Sequence, residues 1–199
     1  MPLRPQLEAS AQWMGECARL LDGASFQTTN RLRVAISLLH LCVEHQKGIH
    51  VLVDHDIIGS AFVLIRPQFE AYVRGVWFHR CATDTEISGF LGGAEPPKIN
   101  TLLAALEQLP AFSDSRLTTM KQSVWRNLND FTHGGAIQVK ARNTRDEIKS
   151  NYRPEHIDGI LETSATLSLL GSVAIAAAVG DDALANELSS VHDRLYRAG

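Results

Sequence analysis

Apolar residues recur at three- and four-residue intervals along almost the whole chain, and this helical period limits the fold more than any other feature. Leu7, Ala11, Met14, Ala18 and Leu21 form one stripe and predict a first helix from Gln6 to Leu21, closed by Gly23. A second carries Leu32, Ile36, Leu39 and Val43 from near Thr29 towards Val53. A third is predicted from Ile57 to Cys81, with Pro67 inside it, where the missing N–H should bend it. Thr83-x-x-Glu86 reads as a capping box that opens a short helix over Ile87 to Leu91. Gly92-Gly93 and Pro96-Pro97 break the chain before a helix over about Lys98 to Gln108. Further helices are predicted from Ser115 to Phe131, from Pro154 to Val179 and, after Gly180 and an aspartate cap, as far as Tyr196. The polar stretch from Gly134 to Arg153 breaks the period. It reads either as a short hairpin over Ala136 to Val139 or as a mobile loop.

These segments predict one all-α domain over residues 1–199, a helical bundle of about seven to eight helices. Composition points the same way. The 199 residues are 45% hydrophobic, enough for a core, and only 7% aromatic, with Ala and Leu plentiful. Three widely spaced cysteines without a C-x-x-C pair argue against a disulfide framework and for a reducing compartment. The first 30 residues lack a secretory pattern. The greasiest run, Ala165 to Gly180, has sixteen residues against the ~20 of a bilayer span. A soluble cytoplasmic protein with no membrane contact is expected. Its net charge of −3 excludes the strongly basic nucleic-acid binders as a class, while leaving local basic surfaces open.

His40, His45, His50 and His55 recur every five residues, but five residues turn a helix by about 140°, so successive rings diverge. No Glu-x-x-His pair is present, and His50-x-x-x-Asp54 alone is too little to build a metal site. No metal and no cofactor is expected. G-x-S-x-G, G-x-x-x-x-G-K-[ST] and G-x-G-x-x-G are all missing, which removes α/β-hydrolase, P-loop and dinucleotide chemistry.

Two polar constellations remain. Arg66, Glu70 and Arg74 stand at i, i+4 and i+8 on an otherwise apolar helix and are followed by His79. They form either a structural salt-bridge network or the lining of a binding site. The second is Arg126-Asn127-x5-His133-Gly134-Gly135. Seven residues return a helix to nearly the same face after about 10 Å, and a histidine at a helix C-terminus favours the imidazolium. From Lys121 to Arg153, seven basic residues face three acidic ones, a net +4 inside a chain of net −3. Local positive charge beside an Arg/His pair suits a phosphodiester.

Arg126-Asn127-x5-His133 resembles the R-x(4–6)-H signature of the HEPN superfamily, in which Asn commonly follows the Arg. The stretch Arg66-Pro67-Gln68-Phe69-Glu70-Ala71-Tyr72-Val73-Arg74 looks like a segment of uncharacterised bacterial helical families related to abortive-infection proteins. Arg74-x4-His79 matches the bare spacing too, but Gly75 stands where the polar residue belongs. The resemblance implies a helical bundle that works as a homodimer and a metal-independent endoribonuclease acting in defence or toxin-type systems. It also implies roles. His133 would move the proton at the ribose 2′-OH or at the leaving oxygen. Arg126 would stabilise charge on the scissile phosphate, and Asn127 would orient one or the other. The alternative is a non-catalytic binding or regulatory module with a protein partner, or with a small ligand held by Arg66, Glu70 and Arg74.

Overall fold

The computed structural model describes residues 5–122, 131 and 134–197. Its helices are α1 (Pro5–Leu21), α2 (Asn30–Asp54), α3 (Ile58–Arg80), α4 (Asp84–Leu91), α5 (Ile99–Leu106), α6 (Ala136–Lys140), α7 (Pro154–Val179) and α8 (Asp182–Tyr196). Residues 116–122 are helical as well. Among the described residues no strand forms beyond one isolated antiparallel bridge, Asn143 to Ile148. The architecture is all-α.

Local chemistry sets the boundaries. Thr29 caps α2 by accepting the Leu32 N–H at 3.2 Å. At α4 the capping box is complete: Thr83 Oγ1 accepts the Glu86 N–H at 3.2 Å, while Glu86 accepts the Thr83 N–H at 2.7 Å. Gly180, at φ +78°, ends α7 in the left-handed region, and Asp181 then caps α8 through the Leu184 N–H at 2.9 Å. So tight a turn folds α8 back onto α7.

The hairpin expected over Ala136 to Val139 is not there; those residues are the helix α6. A four-residue alternation fits either period, and here the local bonds Val139 N–H to Gly135 O (3.1 Å) and Ala141 N–H to Ile137 O (3.0 Å) win. The bridge lies further on, around a turn in which the Thr144 and Glu147 main chains bond at 3.0 Å.

The bundle is organised around α2, which packs along both α3 and α7; α8 and α1 cover α7, and α5 packs on α3. Close approach of these long helices depends on glycine. A Cβ on Gly75 would lie 2.7 Å from Leu39 Cγ, and one on Gly171 would touch Cys42 and the Leu39 carbonyl at 3.4 Å. At the three-helix centre Gln68 is fully buried. Its amide nitrogen donates to the carbonyls of Cys42 (3.1 Å) and Ser164 (2.9 Å), and its oxygen accepts from Ser164 Oγ at 2.8 Å. One side chain therefore ties α2, α3 and α7 together.

Apolar burial falls into three neighbourhoods. The largest gathers Leu39, Phe69, Tyr72, Phe78, Leu102 and Leu167. A second, around Trp13, Leu188 and Val191, seats α1 and α8. The third, around Ile49, Phe62, Phe131 and Leu161, closes the end where α3 begins. At 26 residues α7 outruns its apolar run. By length and composition alone it is able to cross a membrane, but 56% of its most apolar window is buried in the bundle.

Candidate functional site

Helical spacing brings three of the singled-out residues on α3 together. Arg66 Nε donates to Glu70 Oε1 at 3.0 Å, and Arg74 Nη2 donates to Glu70 Oε2 at 2.8 Å. The carboxylate is only 17% exposed, so two guanidiniums hold both of its oxygens in partly dry surroundings. Arg74 Nε is buried and has no partner among the described residues.

His79 does not join this group. It follows Glu70 by nine residues, which turns it about 180° away around the helix. Burial lowers its pKa first, with Arg80 and Arg31 adding in the same direction, so the ring is neutral at pH 7. Arg31 reaches that end of α3 to donate to the carbonyls of Phe78 (3.0 Å) and Ala82 (2.6 Å).

Arg126, Asn127 and His133 lie outside the described residues. Phe131, between them in sequence, is described and is firmly seated. Its ring stacks on Phe62 with centroids 4.3 Å apart and planes at 15°, and Tyr152 completes an aromatic trio, its centroid 5.5 Å from Phe62 and 6.2 Å from Phe131. Phe62 is one turn before Arg66 on α3. Phe131 itself thus packs on the same helix that carries the Arg66–Glu70–Arg74 ridge.

One further turn towards the start of α3 lies Gly59, seven residues before Arg66 and on nearly the same face. Three polar tips converge on it. A Cβ built there would meet Arg142 Nη2 at 2.6 Å, the Tyr152 hydroxyl at 2.9 Å and Gln138 Nε2 at 3.3 Å. The Tyr152 hydroxyl is buried without a hydrogen-bond partner. Arg142 makes no ion pair among the described residues, whereas its basic neighbours Lys149 and Arg153 are paired with Glu147 and Glu155.

Two of the histidines spaced by five make local contacts instead: His50 Nδ1 lies 3.2 Å from Ser10 Oγ, and His55 Nδ1, just past α2, lies 3.0 Å from the Val51 carbonyl. Among the described residues no three His, Cys, Asp or Glu side chains gather as metal ligands. Burial pushes the Cys42 thiol up to about 12 and raises Cys17 and Cys81, so all three stay protonated near neutral pH.

Residues 39–197 match the model of DUF6988, a family of unknown function. The chain belongs to the DUF6988 family. The DUF6988 match begins midway along α2 and takes in the α3 ridge, Phe131, α6 and both C-terminal helices, so every candidate residue falls inside it. Comparison with curated proteins and with solved structures found no match.

Within this DUF6988 chain, sequence reasoning overlooked Gly59, Gln138 and Tyr152, and counted Arg142 only as charge. A usable signal existed. Glycine at the second position of a long apolar helix marks a place where something approaches the backbone closely. What approaches it comes from about 80 residues later in the sequence, and no local pattern encodes that.

Proposed function

We propose that the protein is a HEPN-like, metal-independent endoribonuclease of a defence or toxin-type system, working in the cytoplasm as a homodimer on RNA. The observation that supports this reading is the Phe131–Phe62 stack, which seats the residue two before His133 in sequence on α3, one turn from Arg66. On this reading His133 takes the proton from the ribose 2′-OH or gives one to the leaving 5′-oxygen. Arg126 balances the charge that builds on the phosphorane oxygens, and Asn127 orients the reacting groups. The 2′-oxygen attacks phosphorus and the P–O5′ bond breaks, which leaves a 2′,3′-cyclic phosphate and a 5′-hydroxyl. Arg66 and Arg74 hold Glu70 and so keep its carboxylate from repelling the substrate.

Incubating the purified protein with mixed-sequence RNA in EDTA tests the proposal. Cleavage to cyclic-phosphate ends is expected, with a loss of at least a hundredfold in His133→Ala. A wild type that leaves RNA intact, or a His133→Ala protein that cuts equally well, would turn the assignment towards a binding or regulatory module of the same bundle.

A further inference from the structure

The polar tips over Gly59 are not accounted for by the packing of the fold, although the Tyr152 ring itself stacks on Phe62. Arg142, Gln138 and Tyr152 arrive from α6 and the segment after it, and each turns a hydrogen-bond donor towards the same point on α3. Among the described residues the Tyr152 hydroxyl is buried without a hydrogen-bond partner, and Arg142 has no counter-ion. A buried hydroxyl left open carries a desolvation cost, and beside an exposed guanidinium and an amide donor an anion would remove it. The absent Cβ at Gly59 is what lets the three tips reach the helix this closely, since any side chain would come within 2.6 Å of the guanidinium. The main chain adds to this, because Ile57 gives α3 no side-chain cap and the first-turn N–H groups lack intrahelical acceptors.

We propose that Arg142, Gln138 and Tyr152, closing over Gly59, form a phosphate subsite that holds a backbone phosphate of bound RNA next to the one that is cleaved. The RNA identity of the ligand rests on the ribonuclease reading; the demand for a phosphate-like anion rests on the donors alone. Phe131 stacks on Phe62 and lies tilted against Tyr152, so the subsite borders the residue two before His133 in sequence. A planar guanidinium with a neutral amide and a hydroxyl suits a tetrahedral oxyanion held by position rather than by sequence. The subsite therefore fixes the register of the strand without reading its bases.

The test uses the full-length protein, a 2′-O-methyl oligoribonucleotide that cannot be cleaved, and inorganic phosphate as a separate probe. Fluorescence anisotropy across 50–200 mM salt should show that Arg142→Gln weakens oligonucleotide binding about tenfold and lowers the salt slope by about one. Tyr152→Phe keeps the stacked ring and should weaken binding severalfold with an unchanged melting curve. Gly59→Ala should weaken it with the charge unaltered. Oligonucleotide binding that is the same in Arg142→Gln, Tyr152→Phe and wild type overturns the subsite, as does a wild type that binds neither probe. Binding of inorganic phosphate that depends on Arg142, without oligonucleotide binding, overturns RNA as the ligand. The two readings separate cleanly. Cleavage that needs His133 but not Arg142 leaves the nuclease standing without the subsite, whereas Arg142-dependent oligonucleotide binding without any cleavage does the reverse.

Discussion

Single side chains in this bundle do work that their hydrophobicity would not suggest. Gln68 sits at a position where the helical period calls for an apolar residue, yet it is fully buried and makes three hydrogen bonds to α2 and α7. Replacing it with leucine keeps the volume but strands the Ser164 hydroxyl. Gln68→Leu should therefore cost about 2–3 kcal/mol, read from the shift of the urea midpoint. An unchanged midpoint would mean that the tie is replaceable by packing alone. Gly75 makes a related point. Its place in Arg74-x4-His79 spoils that copy of the motif, and the fold supplies the reason: a side chain there would drive into Leu39. Packing against α2 fixes the residue.

At the scale of the helix, the sequence was most legible where boundary chemistry is local. The Thr83/Glu86 box, the start of α2 next to Thr29, Pro154 at the start of α7 and Gly180 at its end all stand where the pattern predicted them. Each depends on residues three or four apart, so the signal and the structure share one length scale. The polar stretch after Gly134 was less legible, because its few apolar residues fit a strand and a helix equally. The contacts of Arg142 and Tyr152 with α3 were not legible at all, since they join residues about 80–90 apart. The capping box offers a test at this scale. Thr83→Ala removes the side-chain acceptor for the Glu86 N–H and should cost about 1 kcal/mol. Hydrogen exchange should show faster opening confined to residues 84–91. Global loss of protection instead would mean that α4 is integral to the core and not merely capped.

For the molecule as a whole, several histidines are folded into sites that disfavour their charged form. His192 is buried at 6% exposure between Trp13 and Tyr196, and neither of its ring nitrogens has a partner among the described residues. Burial is the main cause lowering its pKa from 6.5; Asp193 opposes that shift and Arg197 adds to it. Burial also lowers His45 and His50. A depressed histidine lets the unfolded chain bind the proton more readily than the folded one. Its stabilising contribution is complete above about pH 7 and fades as the pH falls through 6.5 towards the folded value. Melting temperature should thus decline between pH 7 and pH 5.5, and His192→Phe should flatten part of that decline. A slope that is identical in the variant would place the acid sensitivity elsewhere.

The edge of the Trp13 indole meets that same imidazole, with ring centroids 5.2 Å apart. A protonated imidazole so close to an excited indole drains its emission, whereas a neutral one does so weakly. Nature has therefore built an optical probe into the seam between the first helix and the last. As acid loosens the fold, the brightness of Trp13, read with Trp77 and Trp125 replaced by phenylalanine, reports on that seam without any added label.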